Sequence, residues 1–311
     1  MADPGLVIAG PTASGKTALS IRVAKQLDGE IVSVDSRQVY KGMDIGTAKA
    51  TPGERRSVPH HGLDLVDPDE RYSAGRFARE ARGWIEGIRG RGRIPVLAGG
   101  TGFFLRALLQ PLFREPDLDP ERRERLRRYL ESCPDHVLRR WLVGLDPVSA
   151  QRLAEGGGRQ RVLRALEIVL LTGRPLHWWH SAAPPDQPPL DAVVFVLDLP
   201  RQLLYDRINR RVHIMMEMGL VDEVRSLLRQ GYRPDDPGMS ATGYPEVVAY
   251  LDGRLELDQA VDRIKRATRR YARRQLTWFR NQLPPGATWV DATLPLDEMT
   301  NQVVRQWQSE S

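Results

Sequence analysis

The chain has a single cysteine, Cys133, in 311 residues. An internal disulfide is therefore impossible, and so is a Cys-rich zinc module. A reducing cytoplasm is the expected location. No apolar run approaches the roughly 20 residues that a membrane helix needs. The start, MADPGLVIAG, lacks the basic beginning and long apolar stretch of a signal peptide, so neither export nor a membrane partner is expected. Lysine is scarce: Lys16, Lys25, Lys41, Lys49 and Lys265 are the five, and arginine supplies the remaining positive charge behind a net +6. A GC-rich genome explains an arginine bias in general but not local clusters. Arginine's forked donors suit phosphate, so the charge is compatible with a nucleic-acid partner.

What is present reads as a soluble α/β protein. Hydrophobic residues make up 41% and charged residues 28%, an ordinary globular balance with room for one large domain or two modest ones. Short apolar runs at 6–9, 30–34, 94–98 and 193–197 read as buried strands. Helical periodicity follows at 18–27 and at about 202–229. This alternation predicts a parallel sheet covered on both faces, with functional groups at the C-terminal strand ends. Between about 116 and 172 the pattern is helical without a convincing strand, and the Pro-rich AAPPDQPPL closes the region at 182–190. The expected organisation is a core of residues 1–115 and 190–311, with a helical insertion at 116–189. A last long helix is expected over about 257–280, with acids at its start and arginines later, which suits the helix dipole.

GPTASGKT, residues 10–17, fits the P-loop pattern between a strand and a helix. Gly10 and Gly15 permit backbone conformations that a side chain blocks. Pro11, Thr12, Ala13 and Ser14 complete a loop whose successive N–H groups bind anionic oxygens at a helix N-terminus. Lys16 adds a point charge, and the Thr17 hydroxyl is the candidate ligand for Mg²⁺. The expected fold class is thus a P-loop NTPase-like core plus the helical insertion. The loop alone leaves nucleotide-binding (ATP-binding) kinases, ATPases and GTPases open.

Two further strand ends carry polar groups. Asp35 closes the run IVSV and reads as a Mg²⁺ ligand, as a base or acceptor orienting a nucleophile, or as a turn residue. Ser36, Arg37 and Gln38 follow it. GGTGFFLRALL, residues 99–109, places Thr101 at a second anion-friendly turn or a plain glycine-rich connection. Trp178 and Trp179 suit stacking on bases or packing. His60 and His61 read as adjacent histidines in a loop and cannot make a metal site alone.

GPTASGKT, DSRQVYKGMDIGTAK and GGTGFFLRALL, in that order, resemble the tRNA dimethylallyltransferases (tRNA isopentenyltransferases) of bacterial type. The similarity continues through RVLRALEI (161–168), RINRRVHIMMEMGLVDEV (207–224), ATGYPEVVAYLDG (241–253) and RRQLTWFR (273–280), nearly the whole chain. The resemblance implies transfer of a dimethylallyl group from dimethylallyl diphosphate to N6 of adenosine 37 in tRNA, with the base flipped out. It implies that the P-loop holds the donor's diphosphate, with Lys16, Asp35 and Thr101 as the catalytic candidates. Asp35, Ser36, Arg37, Gln38 and Thr101 would meet the target base. Arg123, Gln160, Arg161, Val162, Leu163 and Arg164 would touch tRNA from the insertion, and Arg274 and Gln275 from the C-terminal helix. Arg207 and Arg211 would neutralise pyrophosphate or backbone charge, or lie on a solvated face. A monomer is expected.

AEGGGRQR (154–161) departs from the Asn-Asp pair that many relatives carry before the QR segment. No Cys/His finger is present, which fits the bacterial type. The rival readings are a nucleotide isopentenyltransferase acting on AMP, ADP or ATP, a P-loop small-molecule kinase, and a non-catalytic RNA-binding module.

Overall fold

Residues Gly5–Ala9 are buried at every position and form β1, a central strand of a six-stranded sheet. The computed structural model describes residues 4–310 other than Leu112, Glu115, Asp117, Glu155 and Asp186. After β1 come α1 (Lys16–Gln26), β2 (Gly29–Val34), α2 (Pro52–Ser57), β3 (His60–His61), α3 (Ala74–Gly90), β4 (Ile94–Gly99) and α4 (Gly102–Leu109). A run of helices follows: α5 (Pro120–Ser132), α6 (Asp135–Leu145), α7 (Pro147–Ala154), α8 (Arg159–Thr172) and α9 (Leu176–Ala182). The sheet resumes with β5 (Ala192–Asp198), and α10 (Arg201–Glu217), α11 (Leu220–Arg229), α12 (Tyr244–Leu251), α13 (Leu257–Gln282), β6 (Thr288–Asp291) and α14 (Leu296–Glu310) complete the chain.

The strand order is β3-β2-β4-β1-β5-β6, with every pairing parallel. Buried on both faces, the central strands read as continuous apolar runs, as parallel sheets require. Leu6, Ile8, Phe195 and Leu197 pack with Leu19, Val23, Ile208, Val303 and Trp307 around this sheet. Each such fully buried side chain contributes about 1.5–3 kcal/mol relative to exposure.

Several expectations need correction. The periodic stretch expected at 202–229 is two helices, because Gly219 adopts a left-handed φ of 98° and breaks it between α10 and α11. The helix at 257–282 is not the last, since β6 and α14 follow it. His60 and His61 are edge-strand residues rather than loop residues.

The chain divides into two compact units, residues 1–110 with 189–311, and residues 111–188. The first boundary lies before the expected 115/116. Phe113 packs on His180 of α9, with ring centroids 4.4 Å apart, and the Arg114 amide bonds to the Ala183 carbonyl. The second unit has its own core of Leu130, Leu138, Leu142, Val162, Leu163 and Leu166. Its Trp178 and Trp179 meet edge-to-face, and Trp179 Nε1 donates to Thr172 Oγ1 at 3.2 Å.

Candidate active site

The register of the sheet brings three strand ends level. Val34 of β2 and Ala9 of β1 both pair with Gly99 of β4. Asp35, Gly10 and the Gly100-Thr101 turn therefore leave the sheet side by side. They open onto a cavity of about 540 Å³, lined within the first unit by α1, α10, α13 and the loops at the strand ends.

The P-loop forms its floor. Gly15 initiates α1 with φ 98°, and Ala13 is also left-handed at φ 63°. Thr12, Ala13, Gly15, Lys16 and Thr17 line the cavity. Gly10, Pro11 and Ser14 of the same loop, expected at the diphosphate, are buried and are not among the residues lining the cavity. Lys16 Nζ donates to the Pro11 carbonyl at 2.6 Å. Burial, then the nearby charge of Arg211, depress the Lys16 pKa to about 7, against the opposing pull of Asp35. Arg211 lines the cavity, and burial lowers its own pKa too. Arg207 does not line it. Its guanidinium reaches the Ser14 carbonyl at 3.5 Å and the Ala292 carbonyl at 3.2 Å, bracing the loop rather than facing a ligand.

Asp35 stands opposite Lys16 in charge. Burial raises its pKa, opposed by the Arg37 amide, which donates to Oδ1 at 2.8 Å, and by Lys16. Thr101 and Ser36 stand behind this wall. Thr101 Oγ1 accepts from the Ser36 amide at 3.0 Å and donates to Ser36 Oγ at 3.3 Å. Thr101 also hydrogen-bonds Tyr271 of α13, whose phenol burial and Asp35 push up to about 12. Tyr271 lines the cavity beside Asp35, yet its sequence position gives no motif that reveals it. Arg37 lines the cavity and is held by the Pro237 carbonyl at 2.9 Å and Ser240 Oγ at 3.0 Å. Gln38 is committed locally: it accepts from Ser33 Oγ at 2.9 Å and donates to the carbonyls of Thr47 and Ala48 at 3.2 Å. Glu223 was another unsignalled residue. Its carboxylate accepts the backbone amides of Asp44, Ile45 and Gly46 and the Tyr244 hydroxyl, fixing a loop that forms part of the cavity wall.

Ile208, Val212, Met215, Leu220 and Ile264 add an apolar wall to the same cavity. Arg274 is exposed and lines the cavity. Gln275 also lines the cavity, but as a buried side chain whose hydrogen bonds go to backbone of two loops.

The insertion residues divide similarly. Gln160 and Arg161 of α8 are exposed. Val162 and Leu163 are core residues of the second unit and present no side chain to a partner. Arg123 and Arg164 both pair with the buried Glu167. The departing stretch is tied down at Gly157, whose amide bonds to Leu153 and whose carbonyl accepts from Arg139 at 2.8 Å. Among the described residues no group of three or more His, Cys, Asp or Glu could hold a metal. His61 bonds Glu30 at 2.7 Å instead, in a cluster where Arg91 and His61 hold Glu30 down to about 2. No helix among the described residues is long and apolar enough to cross a membrane.

Sheet, loop and cavity together define a P-loop α/β protein whose cavity joins the P-loop to apolar lining residues. Profiles of two families match: IPP transferase over residues 38–282 and isopentenyl transferase over residues 6–62. The chain is 42% identical to the tRNA dimethylallyltransferase of Carboxydothermus hydrogenoformans and 46% identical to that of a Roseiflexus species, covering 98% of each chain in both comparisons. The solved tRNA isopentenylpyrophosphate transferase of Bacillus halodurans superposes with a TM-score of 0.70 at 40% identity, covering 99% of this chain and 98% of that one. A eukaryotic dimethylallyltransferase acting on tRNA gives 0.80 at 30% identity, over 99% and 76%. The chain belongs to the IPP transferase family, that of the tRNA dimethylallyltransferases.

Proposed function

We propose that this chain transfers a dimethylallyl group from dimethylallyl diphosphate to N6 of adenosine 37 in tRNA, releasing diphosphate. One observation carries the reading: an anion cradle, an apolar wall and the Asp35–Tyr271 pair share a single cavity. The cradle suits the diphosphate and the apolar wall suits the five-carbon chain. The polar pair suits a flipped-out base, which must leave its stack to reach such a site.

The N6 lone pair forms the new bond to C1 of the donor. The C1–O bond breaks, and its electron pair leaves on the diphosphate. P-loop amides, Lys16 and Arg211 offset the negative charge that develops there. Asp35 accepts a hydrogen bond from the amine and takes its proton, and its raised pKa makes it a better base. Tyr271 stays protonated at neutral pH and can donate a hydrogen bond beside it. Thr101 orients Tyr271 and Ser36. The exposed Thr17 hydroxyl, completed by diphosphate oxygens, offers hard oxygen ligands that fit Mg²⁺. When bound, the ion would supply further neutralisation of the leaving group. A tRNA acceptor fits the cytoplasm.

The test is incubation with labelled dimethylallyl diphosphate and unmodified tRNA, with AMP and ATP as competing acceptors. Label is expected on tRNA, with no requirement for ATP. Label on AMP alone, or tRNA labelling that stops without ATP, would overturn the proposal.

A further inference from the structure

Gln275 sits on the buried face of α13, far in sequence from both loops it touches. Its Oε1 accepts from the Thr12 amide of the P-loop at 2.9 Å. Its Nε2 donates to the Gly100 carbonyl at 2.8 Å. A primary amide presents one acceptor and one donor group from a single rigid plane. It therefore fixes the spacing of the two loops, where either bond alone would fix only one of them. The fit is close. A Cβ on Gly100 would lie 2.3 Å from Nε2, so the turn can approach the amide only as glycine. The next residue, Thr101, holds Ser36 and Tyr271 on the acceptor side. The Thr12 amide, meanwhile, is turned toward Gln275 rather than into the anion cradle.

We propose that Gln275 is a positioning residue for the transfer: a strut that sets the separation between the diphosphate cradle and the acceptor-side turn. The inference rests on the two-substrate reaction proposed above. It differs from the tRNA-contact role that the sequence implies, because the side chain is buried and bonds to backbone on both loops. The neighbouring Arg274 remains exposed at the cavity, so one turn of α13 carries both the strut and an outward-facing charge. Bond formation requires the donor carbon and acceptor nitrogen in near-attack geometry, and a misplacement of about 1 Å can cost on the order of 10²-fold in rate.

Two variants test the strut. Gln275→Met removes both hydrogen bonds at similar length. Gln275→Glu keeps the acceptor for Thr12 but sets an oxygen against the Gly100 carbonyl. Single-turnover transfer from labelled dimethylallyl diphosphate to tRNA is expected to fall by about 10–100-fold in the Met variant, and measurably in the Glu variant. Affinities for inorganic pyrophosphate and for tRNA are expected to stay within about threefold, well under the tenfold that 1.4 kcal/mol represents. A Met variant with the wild-type rate overturns the strut. So does a rate loss matched by an equal loss of affinity, the signature of a site that has merely loosened. Amide exchange in the wild-type protein decides the matter even if neither variant folds. Thr12 is expected to exchange slowly with and without pyrophosphate, and Gly15 slowly only with it. Fast Thr12 exchange in the free protein overturns the strut. A wild-type protein that labels no tRNA overturns the reaction reading instead, and the exchange result still decides the strut.

Discussion

At the scale of single residues, two charges in the cavity make distinct predictions. Burial holds Lys16 at about 7, so much of it is neutral in the free protein above that pH. A bound diphosphate favours the ammonium form. Binding above pH 7 therefore takes up a proton, and pyrophosphate affinity is expected to fall by up to about tenfold per pH unit beyond what Lys16→Met shows. Pyrophosphate's own titration is common to both proteins and cancels. Calorimetry in buffers of different ionisation heat counts the proton directly, and equal uptake by both proteins contradicts the prediction. The depressed pKa also has a stability consequence. From about pH 7 up to the ordinary lysine value the unfolded chain binds more protons than the folded one, so this contribution to stability rises with pH. Asp35→Asn keeps size but loses basicity. It is expected to slow the chemical step by about 10²–10⁴-fold with little change in either binding constant. Recovery of most of the rate in high Mg²⁺ would move Asp35 into the metal site beside Thr17. Lys16 and Asp35 were both legible in the sequence, because each sits within a short motif that ends a strand. Tyr271 was not, since it reaches the cavity from α13, where Arg269, Arg270, Arg273 and Arg274 surround it in sequence and signal an outer surface. The burial of Gln275 was not legible for the same reason: its string, RRQLTWFR, does not tell which face of the helix turns inward.

At the scale of elements, α13 shows how a helix can be basic and half-buried together. Gln259 reaches back to the Glu256 amide at 3.2 Å and Asp258 lies in the first turn, so the N-terminus is well terminated. Ala260, Val261, Ile264, Ala272, Gln275 and Phe279 form its buried stripe at helical spacing. Arg266, Arg270, Arg273 and Arg274 stay exposed. Arg269 differs: it donates to Asn209 of α10 at 2.7 Å and lies over the Tyr205 ring. Replacing Arg270 and Arg273 by Gln is therefore expected to weaken tRNA binding and flatten its log–log salt dependence by about 0.7–0.9 per lost phosphate contact. Arg269→Gln is expected to leave that slope unchanged. Affinity titrations across a salt series check both, and an unchanged slope in the double variant would show that this surface does not meet RNA. The buried strands were legible as continuous apolar runs, and α13 because its pattern runs for many residues. β3 was lost because it is two residues long, and its histidines carry no alternating pattern. β6 is a short edge strand with two of its four residues exposed, too brief and too mixed to stand out from a loop.

At the scale of the whole molecule, the division into two units was legible from a strandless middle and the Pro-rich stretch that ends it. The exact boundary depended on Phe113 and Arg114, whose partners His180 and Ala183 lie far downstream, in and just after α9, beyond any local signal. The division also predicts which binding events can be separated. Every residue lining the cavity belongs to residues 1–110 or 189–311. The ends left by removing 111–188 already lie together, since the Leu190 amide bonds to the Leu108 carbonyl at 3.0 Å. A short flexible linker between residues 110 and 189 therefore closes the gap at small entropic cost. The second unit keeps a core of its own, so its removal strips no side chain from the main sheet's core cluster. The shortened protein is expected to bind inorganic pyrophosphate within about threefold of the full chain, less than 1 kcal/mol. Its tRNA binding is expected to weaken with a smaller salt slope, because exposed Arg122, Arg125, Arg128 and Arg161 go with the insertion, each phosphate contact among them worth about 0.7–0.9 in slope. Calorimetry with pyrophosphate and a tRNA titration at several salt concentrations read the two outcomes. A folded variant that no longer binds pyrophosphate would mean that the P-loop depends on the insertion for its shape. Unchanged tRNA affinity and slope would confine recognition to α13 and the loops around the cavity.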